Sequence, residues 1–200
     1  ATSGPAGTQQ AQIIQWAIRE LYEATGHPRD LTVISVGGQG GRGKVPGTLE
    51  ELGLEGLVTR FFSGHLETFK SILKLGDAGK CELQCIPQGT MTLLFKAQGE
   101  GVDHVINDTG VGTFIDPRVG RGTPVIDPNA PQYVEIVDGR FKYSIPRITC
   151  SYFNAQAADR KGNIYARHNA VIGEAKETSK AAKKNGGVVI ANVAELVEEG

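Results

Sequence analysis

The chain has 200 residues, of which 40% are apolar and 22% are charged, so it suits one substantial α/β domain or two small ones. A formal net charge of −1 argues against nucleic acid and acidic membrane surfaces as partners. The longest apolar runs have about six residues, far short of the ~20 that a membrane-spanning helix needs, so we expect no membrane contact.

The first part of the chain predicts a helix, a strand and an open loop. Thr8 can cap a helix over residues 9–24, and Gly26 suits the position after its end. A short apolar run over residues 31–36 is typical of a buried strand. Six glycines within residues 37–47 then predict a loop. The apolar side of the helix should consist of Ile13, Ile14, Ala17, Ile18 and Leu21.

The middle of the chain alternates short strands with helices. Leu66, Phe69 and Ile72 recur at helical spacing, whereas the runs on either side are short and apolar, as buried strands are. The expected elements are a strand ending at Phe61 and Phe62, a helix over 65–75, a strand over 81–86, a helix over 90–97 and a strand over 103–106.

The last part of the chain begins with a predicted hairpin. Alternating residues over 133–145 flank Asp138 and Gly139, a pair that favours a tight hairpin turn. A strand over 148–155, a helix from Asn169 to Lys184 and a strand over 188–193 should follow. The whole pattern favours an α/β fold in a single domain over residues 1–200. A mostly parallel open sheet would be covered by helices on both faces, with the hairpin as an antiparallel excursion.

The cysteines and histidines do not have the spacing of disulfide pairs or of metal ligands. Cys81 and Cys85 share a predicted strand face but stand too far apart to bridge, and Cys150 is remote. We expect reduced core thiols in a cytoplasmic protein. The four histidines contain no i, i+4 pair, and no serine stands in a G-x-S-x-G elbow. Neither a metal site nor a hydrolase triad is therefore expected.

Glycine-rich segments follow four extended or apolar runs, at residues 3–8, 37–47, 87–90 and 109–113. Ligands of open α/β sheets bind beyond the carboxyl ends of strands, so these segments are candidate binding loops. Backbone N–H groups around Gly4 and Gly7 can hold an anion at a helix start, the alternative being a simple turn. Gln39 and Gly40 lack a phosphate-loop pattern and belong to either a pocket wall or a flexible surface loop.

Gln88 is the strongest catalytic candidate. A side-chain amide just past a strand end can donate a hydrogen bond to a developing oxyanion, and Gly89 leaves room for the reacting carbonyl. The alternative is that Gln88 only caps the helix that follows. A second loop, whose backbone can lie against the same ligand, contains Gly110, Val111, Gly112 and Thr113.

The paired motifs P-Q-G-T at residues 87–90 and T-G-V-G-T at residues 109–113 resemble the α half of family I coenzyme A transferases. The resemblance continues through residues 114–118 and an A-D-x-x-G-N turn at 158–163, and covers the chain from Gly4 to about Val193. It implies a fold like that of a CoA-transferase α subunit. It also implies transfer of CoA between short-chain carboxylic acids, with an acyl-CoA thioester as substrate and neither a permanently bound cofactor nor a metal.

The resemblance also assigns roles to residues. Gln88 would stabilise the oxyanion, while the substrate would contact Gly4, Gly7, Gln39, Gly40, Gly89, Gly110, Val111, Gly112 and Thr113. In this family a glutamate of the β half, in an S-E-N-G-like setting, is the nucleophile, and no such segment occurs here.

The chain should therefore be half of an active site. A β half would complete it, either as a separate subunit or as the remainder of a longer parent, which a start at Ala1 also suggests. We expect a homo- or hetero-oligomer with a large apolar interface along the edge of glycine-rich loops.

Three alternatives follow from the same residues. A non-catalytic ligand-binding or regulatory domain can use the same broad α/β scaffold. An acyl-CoA hydrolase half would differ only in that water replaces the acceptor acid. A dinucleotide-binding dehydrogenase domain fits less well, because the chain has no G-x-G-x-x-G after its first strand.

Overall fold

The computed structural model describes residues 11–38, 40–44, 46–120, 131–166 and 173–198. Thr8, Asn169 and the predicted binding residues Gly4, Gly7 and Gln39 lie outside these ranges. Within the described ranges, no helix combines the length and the apolar character needed to cross a membrane.

Helices and parallel strands alternate through the first half of the chain. They are α1 (Gln12–Thr25), β1 (Leu31–Ser35), β2 (Val58–Ser63), α2 (Lys70–Asp77), β3 (Glu82–Cys85) and α3 (Gln88–Glu100), with 3₁₀ turns at Leu49–Leu52 and Leu66–Thr68. β2 lies between β1 and β3, and Phe61 pairs with Val33 on one side and with Leu83 on the other. Because all three strands run in one direction, their carboxyl ends meet at one edge of the sheet.

The second half combines antiparallel and parallel pairing. Its elements are β4 (His104–Asn107), β5 (Val134–Val137), β6 (Arg140–Ser144), β7 (Cys150–Asp159), β8 (Ile164–Tyr165), α4 (Ala175–Lys184) and β9 (Val188–Val197). β6 lies between β4 and β5 in an antiparallel sheet, while β7 pairs with β9 in parallel and with β8 in antiparallel orientation. The predicted α/β class and hairpin are confirmed, but β4 joins the hairpin, so the antiparallel sheet is larger than expected.

Neighbouring residues of the parallel strands point into two separate cores. Phe61 faces a first core that α1, α2 and the 3₁₀ turns cover. Phe62 faces a second core, in which the fully buried side chains include Met91 and Phe95 of α3 and Phe141 and Tyr143 of β6. Helices therefore lie on both faces as predicted, and the antiparallel sheet shares the second face with α3.

The apolar side predicted for α1 is only partly the face that packs, although Ile18 contacts the first core as expected. Ile13 and Leu21 are 62% and 53% exposed, whereas Gln15 is fully buried. In the amide orientation that satisfies both partners, Gln15 donates to the carbonyl oxygens of Gly47 and Thr48, at 2.9 and 3.2 Å. Polar contacts with the loop after β1 therefore set the rotation of this helix.

A buried glutamine fixes the C-terminal half of α3. Gln98 Nε2 donates to the carbonyl oxygen of Pro146 at 3.1 Å. Its Oε1 accepts from the backbone N–H of Ile148 at 3.1 Å and from Asn185 Nδ2 at 3.0 Å. These bonds connect α3 to the segment before β7 and to the end of α4. They therefore fix the position of the helix whose first turn contains Gln88.

Candidate functional site

The turn from β3 into α3 presents Gln88 to solvent. Gln88 is the first residue of α3 and is exposed, and Pro87, which has no side-chain donor or acceptor, occupies the capping position. A Cβ atom added to Gly89 would meet no described atom within 4 Å, so open space lies beside the amide. The Gln88 side chain does not cap the helix in this arrangement, and its amide is accessible to a molecule at the sheet edge.

The loop after β2 packs directly against this turn. A Cβ atom added to Gly64 would lie 3.2 Å from both the Cβ and the backbone nitrogen of Gln88, and 3.3 Å from the carbonyl oxygen of Ile86. A larger residue at position 64 would therefore press on Gln88. Sequence reasoning missed Gly64, although a glycine directly after a strand was a usable signal.

Asn107, at the end of β4, joins the two predicted motifs. Its Nδ2 donates to the hydroxyl of Thr90 at 3.2 Å, and its Oδ1 accepts from the backbone N–H of Thr109 at 3.0 Å. One side chain thus connects the first turn of α3 with the start of the second glycine-rich loop. Sequence reasoning missed this residue too, although asparagine before a tight turn often bonds to the backbone two residues on.

Replacing Asn107 by alanine is expected to loosen the contact between the two motifs. Both hydrogen bonds disappear, so the amide of Thr109 should exchange hydrogen at least about tenfold faster, and the free energy of unfolding should fall by about 1 kcal/mol. Hydrogen exchange and denaturant unfolding measure the two effects. Asn107→Asp is the matched control, since a carboxylate still accepts from Thr109 and the Thr90 hydroxyl can turn to donate. Unchanged exchange at Thr109 in Asn107→Ala would contradict this role.

The second glycine-rich loop is a closed turn with two of its residues facing outward. The backbone N–H and the hydroxyl of Thr113 both donate to the carbonyl oxygen of Gly110, at 3.0 and 2.7 Å. Gly110 has φ +91°, and a Cβ atom there would lie 3.1 Å from the Tyr143 hydroxyl. Val111 is 46% exposed, and a Cβ on Gly112 would meet no described atom within 4 Å. Val111 and Gly112 therefore face outward, beside Thr113, which is also exposed although its hydroxyl bonds to Gly110.

The buried carboxylate of Asp116 stabilises the second glycine-rich loop. It accepts from the backbone N–H of Gly112 at 2.9 Å and from the backbone N–H of Arg118 at 3.0 Å. The Arg118 guanidinium adds two bonds, at 2.8 and 2.6 Å. The hydrogen bond from Arg118 is the main reason that the pKa of Asp116 lies well below its usual range. The carboxylate is thus a charged anchor for the loop.

Asp116→Asn should lower the melting temperature at neutral pH, because an amide cannot form the ion pair with Arg118. A carboxyl whose pKa is lowered by folding stabilises the protein above its ordinary pKa of about 4, and this contribution is lost as the pH falls further. The difference in melting temperature should therefore stay constant from about pH 7 to about pH 4 and shrink below that. The exposed Asp77→Asn serves as the control. A difference that persists undiminished at about pH 2 would contradict the ion-pair account.

The loop after β1 is packed rather than free. A Cβ atom on Gly38 would lie 2.9 Å from Thr68 Cγ2, and one on Gly40 would lie 2.1 Å from the Thr68 carbonyl oxygen. The backbone N–H of Arg42 donates to the same oxygen at 3.0 Å. Close backbone approach therefore explains Gly40, and the predicted contact of this residue with substrate stays a prediction.

The three cysteines form no disulfide, and the two that flank β3, Cys81 before its start and Cys85 at its end, are poor nucleophiles. Burial raises the pKa of Cys81 to about 12 and also raises the pKa of Cys85, which ends β3. Both thiols therefore stay protonated near neutral pH. Among the described residues, no group of three or more histidine, cysteine, aspartate or glutamate side chains could hold a metal ion.

The structure thus brings together the described parts of three predicted segments, at 37–47, 87–90 and 109–113, while the segment at 3–8 lies outside the described residues. The loops after β1 and β2 meet where Gly38 approaches His65, the loop after β2 touches Gln88, and Asn107 joins Thr90 to the second glycine-rich loop. The result is an exposed amide between closely packed loops. This arrangement can donate a hydrogen bond to an oxygen that gains negative charge, and the carboxylate of Asp116 in the second loop is already engaged by Arg118 and by two backbone N–H groups.

Comparison with known proteins gives a consistent family. The family model described as "Coenzyme A transferase" matches residues 13–200. The chain is 31% identical over 180 residues to a caffeate CoA-transferase of Acetobacterium woodii, a region that covers 88% of this chain and 34% of that protein. It is 28% identical over 198 residues to the acetate CoA-transferase YdiF of Escherichia coli strain K12, which covers 96% of this chain and 36% of that protein.

A solved structure shows the same relationship. The acyl-CoA transferase YdiF of Escherichia coli O157:H7, in a thioester complex with CoA, superposes with a TM-score of 0.90 at 26% identity, over 100% of this chain and 42% of that one. The chain spans 34% and 36% of the lengths of the two curated relatives, about a third of each.

Proposed function

Since this chain belongs to the coenzyme A transferase family, we propose that it is the α half of an acyl-CoA:carboxylate CoA-transferase. Such an enzyme moves CoA from the thioester of one short-chain carboxylic acid to a second carboxylate. The relative described as an acetate CoA-transferase supports this substrate class, and the relative described as a caffeate CoA-transferase supports transfer of CoA to a carboxylic acid. Each relative is nearly three times as long as the region it shares with this chain, which supports a second half that completes the site.

The exposed amide of Gln88 is the observation that carries this proposal. It stands at the carboxyl edge of the parallel strands, beside the open space at Gly89, and Gly64 packs close to the backbone nitrogen and Cβ of Gln88. An amide in this position can donate to the thioester oxygen as the carbonyl carbon becomes tetrahedral. Hydrogen-bond donors that already stand at the position of the oxyanion lower the activation barrier, because they need not reorganise during the reaction.

The reaction proceeds by covalent relay through a glutamate of the partner half. Its carboxylate attacks the acyl-CoA carbonyl, the C–S bond breaks, and an acyl-glutamyl anhydride and CoA thiolate form. The thiolate attacks the glutamyl carbonyl, which gives a glutamyl-CoA thioester and releases the first acid as its carboxylate. The second carboxylate then repeats the two steps in reverse order, so that a new acyl-CoA leaves and the glutamate is regenerated. No net proton or electron is consumed.

The glycine-rich loops take different parts in this proposal. Gly89, Val111, Gly112 and the exposed Thr113 would lie on the substrate side, whereas Gly40 and Gly110 shape the backbone that carries these residues. The second loop and the segment that follows it expose three apolar side chains: Val111, Phe114 and Val119 are 46%, 59% and 69% exposed. Apolar exposure beside a half site supports an interface with the β half.

Intact-mass spectrometry of the complex with its partner half tests the proposal. After incubation with an acyl-CoA and no acceptor acid, the polypeptide that carries the glutamate should gain the mass of CoA less one water. Addition of a carboxylate should remove that mass and yield the new acyl-CoA. Steady release of free CoA without an acceptor would indicate a hydrolase instead, and CoA binding without covalent capture would indicate a ligand-binding domain.

A further inference from the structure

A cleft lined by cations lies between the loop after β1, the 3₁₀ turn Leu49–Leu52 and α2. It is separate from the edge where Gln88 stands. We call it the cation cleft, and its charged lining consists of Arg19, Arg42, Lys44, Lys70, Lys74, Glu50 and Glu51. Five cations and two carboxylates leave a net of three positive charges in a chain whose total is −1. Positive charge is therefore concentrated at this place.

Both carboxylates of the cation cleft are already engaged. Glu50 accepts from the backbone N–H groups of Gly43, Lys70 and Ser71, at 2.9, 2.8 and 2.6 Å. It thereby fills the anion position at the start of α2 and fixes the loop to that helix. Glu51 accepts from the backbone N–H of Gly47 at 3.0 Å and from Arg19 at 2.8 Å. These two contacts hold the pKa of Glu51 below its usual range, the bond from Gly47 being the larger cause.

Four cationic side chains of the cleft have no counter-charge among the described residues. Within the described part of the chain, no ion pair or side-chain hydrogen bond engages Arg42, Lys44, Lys70 or Lys74. Arg42 is also held in place, because its backbone has the left-handed φ of 54° and its N–H bonds to Thr68. Like charges so placed repel one another until an anion enters between them.

We propose that the cation cleft binds the phosphate groups of a multiply charged ligand. Lysine ammonium groups supply point charges, and the planar guanidinium of Arg42 can bond two phosphate oxygens at once. The backbone that carries them is held by Glu50 and Thr68, so the ligand does not have to order the loop.

Two sources supply this chemistry, the nucleotide end of CoA and a separate phosphorylated ligand. The first rests on the function proposed above, and the loop after β2, which packs against both Gln88 and Arg42, supports it. Gln88 touches Gly64, Gly38 approaches His65 and Thr68, and Thr68 bonds Arg42 at the rim of the cation cleft. A CoA whose thioester lies at Gln88 would cross the loop after β2 to place its phosphates among the cations.

Calorimetric titration of the intact protein with inorganic pyrophosphate tests the cation cleft itself. Pyrophosphate should bind, and Arg42→Gln combined with Lys70→Gln should raise its Kd at least about tenfold. The matched control Lys96→Gln with Arg160→Gln removes the same charge from exposed positions elsewhere and should change Kd by less than about twofold. Lys70→Gln with Lys74→Gln is the second variant if the first lowers the melting temperature. Absence of pyrophosphate binding, or equal losses in the cleft and control variants, would overturn the proposal.

Competition by CoA identifies the source. Displacement of pyrophosphate by CoA, and weaker displacement by 3′-dephospho-CoA, would assign the cation cleft to the nucleotide end of CoA. Simultaneous binding of CoA and pyrophosphate would assign it to a separate phosphorylated ligand, and both results support a phosphate site. Failure of CoA to bind anywhere would count against the proposed transferase function alone, because the pyrophosphate titration reports on the cation cleft without CoA.

Discussion

Assayed by itself, this chain is expected to show no transfer of CoA from acetyl-CoA to short-chain carboxylic acids. The proposed relay requires a glutamate nucleophile, and no S-E-N-G-like segment occurs in the 200 residues. An oxyanion donor without a nucleophile cannot form the anhydride or the glutamyl thioester. Because enzymes commonly accelerate their reactions by about 10⁶-fold or more, the difference from a completed site should be the largest effect described for this protein.

Reconstitution with the β half provides the control for this expectation. Transfer should appear only when both halves are present, and its rate should follow the concentration of the complex rather than that of either half. Replacement of the partner glutamate by alanine should return the mixture to background. Robust turnover by the isolated chain would show that its own residues form a complete site, and would contradict the half-site proposal.

The parallel strands and the hairpin could be predicted from residue type and spacing along the chain. Phe61 and Phe62 belong to one short apolar run, and the strand geometry sends them to opposite cores, as a strand buried on both faces requires. Asp138 and Gly139 both adopt positive φ, 50° and 77°, which is the turn that their sequence favours. Both features depend on neighbours along the chain, and for that reason spacing and residue type were sufficient.

Contacts between segments distant in the chain could not be predicted from residue type and spacing. Gln15 is buried because it meets backbone carbonyls at residues 47 and 48, and nothing in the helix pattern indicates those partners. Asn107 reaches Thr90 across a helix and a strand, and Gln98 reaches Ile148 and Asn185. A polar side chain shows its type in the sequence but not its partner, so these positions needed the fold.

The candidate site shows the same division. The motifs at 87–90 and 109–113 predicted the positions of the two loops, because glycines that follow a strand allow a ligand to approach the backbone. The inward or outward direction of each loop residue depends on Tyr143, Asp116 and Thr68, which lie elsewhere in the chain. The cation cleft is a further case, since Arg42, Lys44, Lys70 and Lys74 come from two segments on either side of β2.

Gln88→Ala is expected to lower kcat of the completed enzyme by roughly 10²-fold, the scale for removing one oxyanion donor. The amide lies at the exposed first position of α3, so its loss removes a contact that forms only as negative charge develops on the thioester oxygen. Gln88→Glu should reduce kcat at least as much, because a carboxylate repels that charge. KM for acyl-CoA should change little in Gln88→Ala, since the ground-state carbonyl gains less from the donor.

Melting temperatures of the same variants separate this role from a structural one. A helix cap would contribute roughly 1 kcal/mol to stability and nothing to rate, whereas Pro87, not Gln88, occupies the capping position here. We therefore expect Gln88→Ala to melt close to the wild type while its kcat falls. Leu93→Ala, at a 49% exposed position of the same helix, controls for changes in α3 and should leave kcat unaffected. A wild-type kcat together with a lowered melting temperature in Gln88→Ala would remove this residue from the mechanism, and the catalytic role of the chain would then rest on its two glycine-rich loops.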